Sequence, residues 1–161
     1  MYESFGINEE TTRAICKFTV LWNYFESHIY GKECNPKKIF SGHRVSNLYV
    51  TENCKYLIAN VKSTVLEYAR GAHVLDRLIP KNRIGELNGN RRDIVMTFFQ
   101  SENTTVDANT FIAIEYVLYR IRCNLFHGTK SPYFLNDQIH LFNAINEYLD
   151  YMVTYFEPYQ D

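Results

Sequence analysis

The sequence has no closely spaced cysteine pair, few residues that break helices, no long apolar run and no excess of one charge. Its four cysteines, Cys16, Cys34, Cys54 and Cys123, stand far apart with no CxxC spacing. That speaks against a paired-ligand zinc site, and no metal is expected. The start, MYESFGINEE, is acidic and carries no basic or apolar leader. With scattered cysteines this predicts reduced, mostly buried thiols in a cytoplasmic protein. Seven Gly and four Pro are too few for a collagen-like or linker-rich chain. The uncharged stretch Phe18 to Phe25 falls far short of the ~20 residues that span a bilayer, so no membrane partner is expected. Lys and Arg number 17 against 18 Asp and Glu, for a net charge of −1. A uniformly basic nucleic-acid coat is therefore excluded, though a local basic patch is not.

What is present is apolar and aromatic. The chain is 46% hydrophobic and 16% aromatic, with 13 Tyr and 11 Phe, which a disordered chain would not be. At roughly 150 residues per domain, 1–161 reads as a single domain. A domain of this size buries about two-thirds of its unfolded surface, enough for a real core.

Apolar spacing predicts helices almost throughout. From Glu9 to Tyr30, Ile15, Phe18, Leu21, Trp22, Phe25 and Ile29 recur in steps of three and four, and Gly31 follows as a stop. Lys32 to Asn47 reads as a loop with at most a short turn of helix. Glu52 to Leu78 reads as one long helix, weakened at Gly71 and closed by Pro80. Lys81 to Asp93 is a turn-rich basic connection, with a short apolar helix, Ile94 to Phe99, behind it. Ser101 to Asp107 is a loop whose Thr105 or Asp107 suits an N-cap. The sequon Asn103-Thr104-Thr105 lies there and reads as polar loop. The clearest helix follows: Phe111, Ile114, Leu118, Ile121 and Leu125, backed by Val117 and ended by Gly128 and Pro132. A last helix carries Leu135, Ile139, Phe142, Ile145, Leu149, Met152 and Phe156. Val45 to Val50 is the best strand candidate and is short. The expected fold is all-α, an up-down bundle of four to five main helices.

Charge is uneven along the chain. Between Lys37 and Arg92 there are 11 Lys or Arg against 4 Asp or Glu; from Ser131 to Asp161 there are five acids and no Lys or Arg. Solvated loops and helix faces account for this; so does a basic surface able to hold a phosphate backbone.

One segment concentrates polar chemistry: Arg120-Ile121-Arg122-Cys123-Asn124-Leu125-Phe126-His127-Gly128-Thr129-Lys130. Arg122 and His127, five apart, stand about 140° apart on a straight helix. They converge only if the helix ends near His127 or a second copy supplies the partner group. A histidine exchanges protons near neutral pH, and a guanidinium holds a phosphate and stabilises charge growing on it. Those parts suffice for attack of a ribose 2′-hydroxyl on its neighbouring phosphate, without metal or enzyme nucleophile. The competing structural role is His127 capping the last turn while Arg122 pairs with an acid. Lys130 and Arg120 flank the pair and suit phosphate or solvent. Glu26 is a candidate to orient Arg122 or His127. Trp22 and the Tyr and Phe stripes read as core, and His28, His43, His73 and His140 as surface or satisfied core groups.

The string Arg122-Cys123-Asn124-Leu125-Phe126-His127-Gly128 resembles the R-x4-H motif of the HEPN superfamily. Leu21-Trp22-Asn23-Tyr24-Phe25-Glu26 resembles that superfamily's first-helix signature. The resemblance implies a small helical bundle with the motif late in the chain. It implies a metal-independent endoribonuclease without cofactor, usually a homodimer with two motifs across one cleft, acting on RNA as a toxin or in anti-phage defence, in some cases with a cognate antitoxin. By motif position His127 is then the acid/base, Arg122 the phosphate ligand and Asn124 a polar helper. Two departures stand out. The residue after the motif Arg is often Asn, Asp or His and is here Cys123. A Tyr two residues after the His is a modification site in some members and is here Thr129. The alternative is a non-catalytic dimerisation or RNA-binding module that keeps the bundle, which Cys123 favours. The helix carrying the motif is apolar round more than one face, through Phe111, Ile112, Ile114, Val117, Leu118, Ile121 and Phe126. That surplus predicts a partner helix from a second chain.

Overall fold

A computed structural model describes residues 6–42, 50–69, 74–102, 105–126 and 132–155. They form seven α-helices: α1 (Glu9–Ile29), α2 (Pro36–Ser41), α3 (Glu52–Ala69), α4 (Val74–Leu78), α5 (Asn90–Gln100), α6 (Ala108–Phe126) and α7 (Ile139–Tyr155). Two 3-10 helices, Lys81–Leu87 and Pro132–Gln138, precede α5 and α7. No strand occurs among the described residues, and none of their helices is long and apolar enough to cross a membrane. The fold is an all-α helical bundle. The strand candidate Val45 to Val50 falls mostly outside the described residues.

Local chemistry sets the helix ends. Asn8 caps α1 by accepting the Thr11 N–H at 2.8 Å, with Glu9 and Glu10 in the first turn, where the helix dipole favours acids. Gly31, at φ 84°, ends it in a left-handed conformation that glycine adopts without strain. At the start of α6, the Asp107 carboxylate accepts the Thr110 N–H at 2.9 Å. The Asp107 N–H in turn donates to the Thr110 hydroxyl at 3.1 Å. Asp107 rather than Thr105 is thus the cap, in a reciprocal arrangement like a capping box.

Two helices form the bundle's interior. α7 lies between α1 and α3, which explains why Leu141, Phe142, Ile145, Tyr148, Leu149 and Met152 are buried around much of its circumference. Its contacts with α1 include Phe18 against Phe142, ring centres 5.6 Å apart, and the Asn146 amide donating to the Ala14 carbonyl at 2.9 Å. Phe18, Trp22, Phe25 and Ile29 of α1 are each at most 1% exposed; burying each contributes about 1.5–3 kcal/mol.

The second interior helix is α6, against which α5, α2, α4 and α3 pack. Every residue from Phe111 to Leu118 is buried, as are Arg120, Ile121 and Cys123. This corrects one inference from the sequence. From Phe111 to Ile121 that apolar surface is covered by the chain's own helices, so it is no sign of a second copy, and the Phe126 side chain lies outside the described residues; a helix apolar all round is what a bundle centre requires.

Two other boundaries differ from expectation, while the helix expected over Glu52 to Leu78 is helical over α3 and α4, with residues 70–73 outside the described residues. α5 begins at Asn90, four residues before its apolar stretch, because Asn90, Arg91 and Arg92 form a polar first turn that gives no hydrophobic period. The basic connection contains a 3-10 helix, begun by the Arg83 N–H on the Pro80 carbonyl at 2.8 Å.

Candidate functional site at the end of helix α6

The last turns of α6 carry three of the residues picked out in the sequence, and the fold separates them. Arg120 and Asn124 lie one turn apart on one face. Arg122 lies about 200° round the helix from either. Arg120 is 3% exposed. Its Nε donates to the Leu78 carbonyl at 3.2 Å, an Nη contacts the Asn124 side-chain oxygen at 3.4 Å, and the other Nη lies 3.5 Å from Glu86 Oε2. The Asn124 amide donates to the same Leu78 carbonyl at 3.0 Å. Glu86 Oε2 also accepts the Tyr116 hydroxyl at 3.1 Å.

This inward-facing cluster ties α6 to the end of α4 and to the 3-10 helix. It corrects the surface phosphate contact expected of Arg120. A buried guanidinium committed to a carbonyl, an amide oxygen and a carboxylate is an internal clamp. Asn124, expected beside Arg122, is likewise engaged with Leu78 and Arg120.

Arg122 is half-buried, with its Nε shielded from solvent. Cys123 behind it is a buried free thiol. Glu26 accepts the Cys34 N–H at 2.9 Å and so closes the chain reversal after α1. His127 and Lys130 lie outside the described residues, as do His43 and His73. His28 stacks on Tyr24 with ring centres 5.0 Å apart, and His140 is exposed.

Two polar residues inside the bundle escaped the sequence reading. Glu86 sits in an otherwise basic segment, where nothing in the local sequence signals an internal partner. Glu115 is 1% exposed and accepts a hydrogen bond from the Tyr30 hydroxyl across the core. The signal for Glu115 was an acid set between Ile114 and Tyr116 within a continuous apolar run.

Burial also shifts titration here. Tyr119 is pushed from 10.0 up to about 12, by burial first and then by the adjacent Cys123 thiol. Tyr116 is pushed up further by burial and by the Glu86 carboxylate. Burial alone pushes Cys54 from 9.0 to about 11. Each group holds its proton more tightly folded than unfolded, so its contribution is intact below the unfolded value and is lost as pH rises through the folded one. The urea midpoint is expected to fall between about pH 9 and 12, and less steeply for Tyr119→Phe. A midpoint unchanged across that range would contradict it.

Among the described residues, a cavity of about 40 Å³ lies between Tyr68, Ile121, Asn124, Leu125, Gln138 and Phe142, room for a water or two and no nucleotide. The larger groove, about 970 Å³, lies between α3 and α5 at the start of α6, about 20 Å along the helix from Arg122. Its lysines are committed: Lys55 pairs with Glu52 at 2.7 Å, and Lys62 donates to the Ser101 carbonyl and faces the Phe98 ring. With Asp93, Glu102 and Asp107 also lining it, this groove does not suit a phosphate backbone. Among the described residues no three His, Cys, Asp or Glu side chains converge as metal ligands.

No protein-family model, no curated protein and no solved structure matches this chain.

Proposed function

We propose that this chain is a metal-independent endoribonuclease of the HEPN type, acting in the cytoplasm as a toxin or in phage defence. The observation that carries the proposal is the Arg122 to His127 segment at the end of α6, the interior helix of an all-α bundle. In this reaction His127 accepts the proton of a ribose 2′-hydroxyl. The 2′-oxygen attacks the neighbouring phosphorus, and the bond to the 5′-oxygen breaks. That oxygen leaves as a hydroxyl after taking up a proton. Arg122 neutralises the charge that grows on the phosphate oxygens. The products are a 2′,3′-cyclic phosphate and a 5′-hydroxyl. A homodimer supplies a second His127, so that one histidine serves as base and the other as acid.

Purified protein is expected to cut single-stranded RNA in the presence of EDTA and to leave 2′,3′-cyclic phosphate ends. Cleavage lost in EDTA and restored by Mg²⁺ would reject the mechanism, because the divalent ion would then be required.

A second reading has its own support. Asn124 and Arg120 are bound to Leu78, and Cys123 is buried, so the residues around Arg122 serve packing. A bundle that keeps the segment only to bind RNA or a second copy would look the same here. It predicts RNA binding or dimerisation without cleavage.

A further inference from the structure

The clamp at the end of α6 also fixes a charged surface. From Arg77 to Arg92 the chain has five basic residues, Arg77, Lys81, Arg83, Arg91 and Arg92, and one acid, Glu86. Arg91 is committed internally: it donates to the Glu86 carbonyl at 3.3 Å and lies over the Phe40 ring at 5.1 Å. The other four bases are exposed. The one acid points inward, where Arg120 and Tyr116 hold its carboxylate. The surface from Arg77 to Arg92 is therefore purely basic, bounded by exposed Asp76 and Asp93.

Its position is set by Leu78, whose carbonyl accepts from both Arg120 and Asn124. The 3-10 helix Lys81–Leu87, about 14 Å long at ~2 Å per residue, thus starts beside the last turns of α6. Asp137, Glu147 and Asp150 are exposed in the segment after residue 131, which has no Lys or Arg. A local cluster of exposed bases attracts a polyanion even on a nearly neutral protein.

We propose that Arg77, Lys81, Arg83 and Arg92 form a track for the phosphates of single-stranded RNA on the Arg120 and Asn124 side of α6, across that helix from Arg122. This rests on the RNA-cleaving reading of Arg122 and His127. A single strand fits better than a duplex, because an A-form helix holds each 2′-hydroxyl out of line with its leaving oxygen. Turning Glu86 inward serves the track as well as the fold, since a carboxylate at the surface would repel the backbone.

The test uses the full chain and a DNA oligonucleotide, which binds through phosphates and lacks the 2′-hydroxyl needed for cleavage. Its dissociation constant is measured against salt for wild type, for Lys81→Ala/Arg83→Ala, and for a control pair, Lys17→Ala/Lys37→Ala, whose side chains are also exposed. All four side chains are at the surface, so circular dichroism should be unchanged. The track variant should lower the salt slope by about 1.4, at ~0.7 per phosphate contact on a single strand. The control should leave it unchanged. An unchanged slope in the track variant, equal losses in both variants, or no binding by wild type would overturn the track. Cleavage of the matching RNA is scored separately. A protein that shows the track effect without cutting RNA keeps the surface and loses the nuclease; one that cuts RNA without the effect does the reverse.

Discussion

Replacing His127 by alanine is expected to slow RNA cleavage by about 10²–10⁴-fold, the usual worth of a general acid–base group, while leaving fold and RNA affinity nearly unchanged. In the sequence His127 follows the last apolar stripe position, Leu125, and precedes Gly128, so it falls outside the hydrophobic period that marks core positions. One neutral contact adds little to binding dominated by phosphate charge. Arg122→Ala should differ by weakening binding as well as turnover, and by flattening the salt dependence by about one contact. The comparison separates three roles. A His127→Ala protein that unfolds identifies a structural cap. One that folds and cuts at the wild-type rate removes His127 from the chemistry and leaves a binding module.

The second large effect concerns stability. Glu86→Ala is expected to cost about 2–3 kcal/mol, because it removes a carboxylate that accepts from a buried guanidinium and from a tyrosine hydroxyl. The Tyr116 hydroxyl loses its acceptor, and the Arg120 guanidinium keeps only the neutral Leu78 carbonyl and Asn124 oxygen. Arg120 is too deeply buried to recover by turning to water. The double variant Arg120→Met/Glu86→Leu should regain much of the loss, because it leaves no charge unpaired and fills a similar volume. Urea unfolding of the wild type and the variants reads this directly. A Glu86→Ala change within about 0.5 kcal/mol of wild type would match an ordinary surface site and dismiss the clamp. A double variant no better than Glu86→Ala would show that the polar contacts, rather than unpaired charge, set the cost.

Hydrophobic spacing made the long helices legible. The α1 stripe predicts Phe18, Trp22, Phe25 and Ile29 as core, and all four are buried, because steps of three and four return side chains to one face. The caps at Asp107 and Gly31 were readable for the same local reason: a short carboxylate and a missing Cβ act within a few residues. The 3-10 helix and the polar first turn of α5 were not readable, since neither buries a periodic apolar stripe.

Residue types and spacing by themselves determined the helical class, most of the core, the caps and the presence of the Arg122 to His127 segment. Tertiary structure alone decided what covers α6 and which way its polar residues face. An apolar circumference looks the same whether a second chain or four helices of the same chain enclose it, and only the packing distinguishes them. Arg120 reads as a phosphate or solvent contact because polar residues are mostly exposed. It is internal because a Leu78 carbonyl 42 residues before it and a carboxylate 34 residues before it come within reach. Partners that far apart in sequence leave no local period to reveal them.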